Sequence, residues 1–142
     1  MAKGATFDND LLKLIFNATA IANVADNAAS SPLTNLYLAL HTADPTAAGT
    51  QTSNEVAYTS YARAAVARTS GGFTVSTNSV TLTAAVNFPA CTGGTATATY
   101  WSVGVASSGS TKILYSGAIS PTISISTGVT PQLTTATAIT ES

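Results

Sequence analysis

Two hydrophobic periods divide this chain. Near the start, Leu11, Leu14, Ile15, Ala18 and Ala22 recur at steps of three and four residues, with Leu12 and Phe16 beside them. That spacing predicts an amphipathic helix. Asp8 or Asn9 can cap it, because a short polar side chain accepts the unpaired N–H groups of a first turn. The helix is expected to fade between Asp26 and Ser31, and Pro32 closes the segment.

From Leu36 onward the period becomes two. Leu36, Leu38 and Leu40 alternate with Tyr37, Ala39 and His41, which predicts a strand that Asp44-Pro45 ends with a turn. Residues 46–59 are polar, small and glycine-bearing, and read as a long loop. Ala62 to Thr69 reads as a strand, with Gly71-Gly72 as a hairpin turn into Phe73 to Ser76. Val80, Leu82, Ala84, Val86 and Phe88 alternate with Thr81, Thr83 and Asn87, predicting one amphipathic strand that stops at Pro89. Further strands are expected around Trp101–Val105, Lys112–Ser116, Thr122–Ser126 and Gln132–Thr140, the last with Leu133 and Ile139 inward.

Short strands spaced near ten residues, with turn signals between them, favour an antiparallel architecture. The expectation is a mainly β chain: a jelly-roll-like antiparallel β-sandwich with one N-terminal helix. It is read as one domain over residues 1–142, with 1–31 as helix and linker and 32–142 as the sandwich.

Composition turns this fold into a functional argument. Thr, Ala and Ser supply 25, 26 and 16 of the 142 residues, whereas charged residues supply 8%. Small and β-branched side chains suit packed strands. Catalysis needs groups that carry protons, charge or a metal, and few are present. With a formal net charge of −1 and five scattered basic residues, nothing attracts nucleic acid or an anionic membrane. Low charge also removes a guard against self-association. Lys13 interrupts the apolar N-terminal cluster, so neither a signal peptide nor a membrane-spanning run of ~18 residues is read there. Synthesis in a cytosol is expected.

Each chemically able residue has a plain structural reading. His41 is the single histidine, and a triad would pair it with Asp44 and a serine, but no nucleophile elbow nominates that serine. A strand-end histidine hydrogen-bonded in a turn is the simpler assignment. Cys91 is the single cysteine and reads as a small buried apolar side chain. Asp8 and Asp10 lie at a helix start, where the helix dipole favours acids. No catalytic, cofactor or metal residue is assigned, and no small-molecule substrate is expected. Tyr58, Tyr61, Arg63 and Arg68 are the candidate interface residues, forming an aromatic and basic set that could also face sugar or nucleic acid. Two arginines are few for phosphate. Arg63 and Arg68, five residues apart, point to opposite faces in a regular strand. Arg63 faces either a partner or a carboxylate such as Glu55. Trp101 reads as core; a carbohydrate-binding module would need it exposed beside Tyr58, Tyr61 and Tyr100.

The run from Leu36 to Pro45, then Gly49-Thr50, Glu55 and Tyr61-Ala62-Arg63, resembles a family of small tailed-bacteriophage virion structural proteins. The resemblance continues through Trp101–Val105, Ile113–Ala118 and the ending after Gly128. Such proteins carry tail-fibre-like or capsid-decoration labels, and the family offers no catalytic residues to carry over. The resemblance implies a non-enzymatic virion part. The first expectation is a capsid decoration (cement) protein, a homo-oligomer bridging major capsid subunits on the particle surface. The alternative is a tail-fibre or tail-associated protein that contacts a receptor.

Overall fold

A computed structural model describes residues 3–21, 24–25 and 32–142. Its elements are α1 (Ala5–Asn17), β1 (Asn35–His41), β2 (Ala64–Ala67), β3 (Phe73–Ser76), β4 (Ser79–Leu82), β5 (Val86–Asn87), β6 (Ala96–Gly104), β7 (Ile113–Ile125), β8 (Gln132–Leu133) and β9 (Ala138–Thr140). The protein is mainly β, with antiparallel pairing and an N-terminal helix, as its hydrophobic periods predict. The chain forms two compact units: Met1–Asn35 with Val66–Ala85 and Thr134–Ser142, and Leu36–Ala65 with Val86–Leu133.

In the first unit, β3, β4 and β9 make a sheet in that order. Pairing of Phe73 with Leu82, of Val75 with Val80 and of Val80 with Ile139 gathers the apolar side chains on one face. Leu12 and Phe16 of α1 are fully buried, and the Phe16 ring meets Phe73 edge-on at 4.9 Å. Asn17 Nδ2 donates to the Phe73 carbonyl at 3.0 Å, and Asn9 Nδ2 to that of Thr77 at 2.8 Å. These bonds moor both ends of the helix to the β3–β4 hairpin.

The helix differs from the expected one. It starts at Ala5 behind Gly4, without a side-chain cap, and Asp8 instead lies buried in the first turn, ion-paired with Lys3 at 3.2 Å. It stops at Asn17, because Ala18 enters the left-handed region (φ 53°) and the Thr19 N–H closes on the Lys13 carbonyl. Ala18 is therefore outside the helix, and Ala22, like the expected fade at 26–31, lies outside the described residues. The buried stripe is Asp8, Leu12 and Phe16, one position round from the predicted one, while Leu11, Leu14 and Ile15 are half-buried.

The second unit is built on a sheet of strand order β2–β1–β6–β7. β1 pairs antiparallel with β6 from Tyr37↔Gly104 to His41↔Tyr100. Both faces of β1 are covered: Leu36, Leu38 and Leu40 are buried, and so are Ala39 and His41. Trp101, Ser102 and Val103 of β6 are buried likewise. β5 and β8 form a separate two-stranded ladder, Val86↔Leu133 and Asn87↔Gln132.

Four strand expectations are corrected. The strand expected over Gln132–Thr140 is two, β8 and β9, which belong to different sheets. The alternation from Val80 to Phe88 is not one strand: β4 ends at Leu82 and β5 begins at Val86. Between them, Thr83 donates its N–H to Gly72 and its hydroxyl to Ser70, which bends the chain there. Gly71-Gly72 does not join a hairpin of β2 with β3, since β3 pairs with β4 and β2 belongs to the other sheet. Gly72 sits so close to Ala67 that a Cβ would lie 2.2 Å from its carbonyl oxygen. The strands expected at Lys112–Ser116 and Thr122–Ser126 are one: β7 runs from Ile113 to Ile125 through Pro121, with its register against β6 shifted between Ala98 and Tyr100 and again between Val103 and Gly104.

Candidate functional site

The long loop after β1 is polar in sequence and would cost free energy to bury without partners. Glu55 and Arg63 supply them. Arg63 Nε donates to Glu55 Oε1 at 2.7 Å and Nη2 to Glu55 Oε2 at 2.9 Å, a bidentate pair. The remaining guanidinium hydrogens turn toward a second loop: Nη2 donates to the Gly109 carbonyl at 2.9 Å and Nη1 to the Ala106 carbonyl at 3.1 Å. One side chain thus joins residues 51–55 to residues 106–109. Its side chain is 2% exposed and that of Glu55 is 15% exposed, so water screens the pair poorly.

Gln51 completes the network from a fully buried position. Its Nε2 donates to the Tyr37 carbonyl of β1 at 2.9 Å, and its Oε1 accepts from the Thr111 hydroxyl at 3.0 Å and Arg63 Nη1 at 3.3 Å. The Gln51 N–H donates to the Thr111 carbonyl. Gly104 makes room for this amide, since a Cβ there would lie 2.1 Å from Gln51 Cδ. Tyr61 donates its hydroxyl to Glu55 Oε1 at 2.9 Å and accepts the Leu40 N–H at 3.1 Å. Burial raises the Tyr61 phenol far above its ordinary range and keeps it a donor.

The histidine lies beside this network. His41 is fully buried, with Nδ1 at 2.8 Å from the Ser53 carbonyl and Nε2 at 2.8 Å from Ser102 Oγ. A carbonyl can only accept, so Nδ1 carries the proton and Nε2 accepts the Ser102 hydroxyl. Burial lowers the His41 pKa, and Arg63 adds to that, against the opposing Ser53 carbonyl and Glu55. The serine that sequence alone could not nominate is Ser102, but it and His41 are both 0% exposed. No substrate reaches them, and the pair ties β1, β6 and the loop together. Asp44, the acid a triad would have needed, is exposed and accepts the Thr46 N–H.

The four candidate interface residues part company. Arg63 and Tyr61 belong to the network above. Tyr58 is buried, donates to the Pro89 carbonyl at 2.7 Å and meets Tyr61 edge-on; burial pushes its pKa up to about 12. Arg68 belongs to the first unit, where Nε and Nη2 donate to the Ile15 and Leu14 carbonyls, each at 2.7 Å, and Nη1 to Leu33. It thereby satisfies carbonyls of the last helical turn, where a cation is favoured. Cys91 is buried, as its setting predicts, and Trp101 is core, so neither Trp101 nor Tyr58 offers a face for stacking sugar. Among the described residues, no group of three or more His, Cys, Asp or Glu side chains is placed to hold a metal.

Gln51, Ser102, Thr111 and Gly104 were not legible as a set. Their partners, among them the Tyr37 carbonyl, the His41 ring and the Arg63 guanidinium, lie on distant segments and leave no local sequence signal. The legible clue was the pairing of Glu55 with Arg63 across eight residues.

The outer surface of this network is made by the two loops it joins. Thr42, Thr46, Thr52, Asn54, Ser108 and Ser110 are exposed there, and Thr52 hydrogen-bonds to Ser110 between the loops at 2.9 Å. Thr46 (φ 61°) and Asn54 (φ 55°) hold left-handed backbone, which is strained for a β-branched threonine. Such a surface has a set shape and little charge.

Among curated proteins, no match to this chain was found. The family model described as "Podophage GP4 fiber I protein gp80" matches residues 5–140, spanning both units and every strand named above. With that match running almost end to end, the chain belongs to the podophage fiber I protein family, a family of phage virion structural proteins.

Proposed function

We propose that this protein is a non-enzymatic part of a phage tail fibre or its attachment, working by contact with other virion proteins. The joining of residues 51–55 to 106–109 by Arg63 carries the reading. A loop pair held by a buried ion pair keeps its shape before binding, so little ordering entropy is lost on contact. Its exposed side chains are small and hydroxyl-bearing, which allows a partner's backbone to approach closely. Arg63 and Tyr61 would then serve the interface from beneath, through the loops they hold.

The family description favours the fibre over capsid decoration. Labelling this chain in intact particles tests the choice: copies at the tail support the fibre, whereas copies over the head, with heads that lose heat resistance when the chain is omitted, support the decoration reading. A second test targets the loops. Ser108→Arg puts a bulky charge on the exposed surface without touching the network, and is expected to leave the fold intact while reducing incorporation into particles. Normal incorporation would refute the loops as the contact surface.

A further inference from the structure

The turn that follows β1 gathers reactive groups around one peptide bond. Of the five prolines, only Pro45 follows an acid, Asp44. A carboxyl on the residue before a proline can reach the carbonyl between them through a five-membered ring, and carboxyl oxygens act as nucleophiles when held in place. The proline nitrogen is the more basic kind of amide nitrogen and departs more readily than an ordinary one.

Two contacts hold this bond. The Thr46 N–H donates to Asp44 Oδ1 at 2.8 Å, and a bond from two residues on folds the carboxyl back over the Asp44–Pro45 peptide. Asn54 Nδ2 donates to the Asp44 carbonyl oxygen at 3.1 Å, where it polarises the C=O and favours negative charge growing on that oxygen. Asn54 is itself clamped, since its own carbonyl accepts the Thr42 N–H at 2.8 Å and the Thr42 hydroxyl at 3.2 Å. Asp44 is exposed, so water reaches it, while Pro45 is fully buried and fixes the plane of the bond. Thr46, the next residue, holds a left-handed φ of 61°, and a cut in the chain releases that strain. Among the described residues, Asp44 enters no ion pair.

We propose that the chain cuts itself between Asp44 and Pro45. A carboxyl oxygen of Asp44 attacks the carbonyl carbon of the same residue, the bond from that carbon to the Pro45 nitrogen breaks, and the carboxyl proton passes to the departing nitrogen. The product on Asp44 is a five-membered cyclic anhydride. Water opens it, leaving two carboxyl groups on Asp44 and a free amine on Pro45. Residues 1–44 and 45–142 stay together, because β1 remains paired with β6. The cut depends on neither the fibre nor the decoration reading, since it is read on purified protein.

The purified chain is incubated in mildly acidic buffer and followed by denaturing gel and intact mass. Fragments 1–44 and 45–142 are expected, with masses that sum to the parent plus one water. Asp–Pro bonds break slowly in acid in any chain, so the decisive measure is the rate for the folded chain against the same chain in urea at the same pH. The folded chain should be cut faster. Asn54→Gly keeps the left-handed backbone but removes the donor, and should slow the cut about fivefold, the equivalent of ~1 kcal/mol. Asp44→Ala should abolish it. A circular dichroism spectrum matching the parent checks that each variant folds. A folded chain cut no faster than the unfolded one, an Asn54→Gly chain cut at the parental rate, or a cut that survives Asp44→Ala would overturn the inference.

Discussion

Arg63→Ala is the sharpest test of the loop network. The substitution deletes two bonds to Glu55 (2.7 and 2.9 Å) and the bonds to the carbonyls of Gly109 (2.9 Å) and Ala106 (3.1 Å). Glu55 would keep only the Tyr61 hydroxyl, leaving a poorly solvated carboxylate without its cation. Breaking a buried pair from one side costs about 3–5 kcal/mol, against total stabilities of about 5–15 kcal/mol for folded domains. Arg63→Lys keeps the charge but loses the bidentate geometry, and should fall between the parent and Arg63→Ala. Urea unfolding followed by Trp101 fluorescence measures this, since the one tryptophan is buried in the same unit. Pairing Arg63→Met with Glu55→Gln should cost less than the two single changes summed, because neither partner is then left charged and alone. A loss for Arg63→Ala below about 1 kcal/mol, the range of an exposed ion pair, would refute the network as the element that holds the loops.

Three further outcomes follow from named contacts. Gly104→Ala should destabilise the protein by about 1–3 kcal/mol in the same titration, because its methyl group must displace the buried Gln51 amide. The His41 pKa is lowered on folding, so the unfolded chain binds the proton more readily. The part of stability that depends on His41 should be level above about pH 6.5 and fall as the pH drops through the window between that value and the lower folded pKa; a stability that rises over that descent would contradict a neutral, buried imidazole. Arg68→Ala should raise hydrogen exchange at the C-terminal turn of α1, where Leu14 and Ile15 lose their donor, with little change in the β1–β6 ladder; equal effects in both places would show that Arg68 does more than cap the helix.

Much of this protein is written in its periods. The two-residue step from Leu36 to His41 specified β1, and the three- and four-residue steps before it specified a helix, because side-chain direction follows backbone geometry directly. The scarcity of charge was legible for the same local reason: it is a property of the residues present, whatever their arrangement. Where the helix stops, why Val80–Phe88 breaks in two, and what Arg63 faces were decided elsewhere. Ala18 turns left-handed while closing on Lys13, and Thr83 bends toward Ser70 and Gly72, so each break is settled by backbone groups that no pattern records. Arg63 had two readings in the chain alone, and only folding brought Glu55, Gln51 and two loop carbonyls within its reach. Periodicity tells which way a side chain points; hydrogen-bond satisfaction across distant segments tells what it meets, and that exists only once the chain has closed on itself.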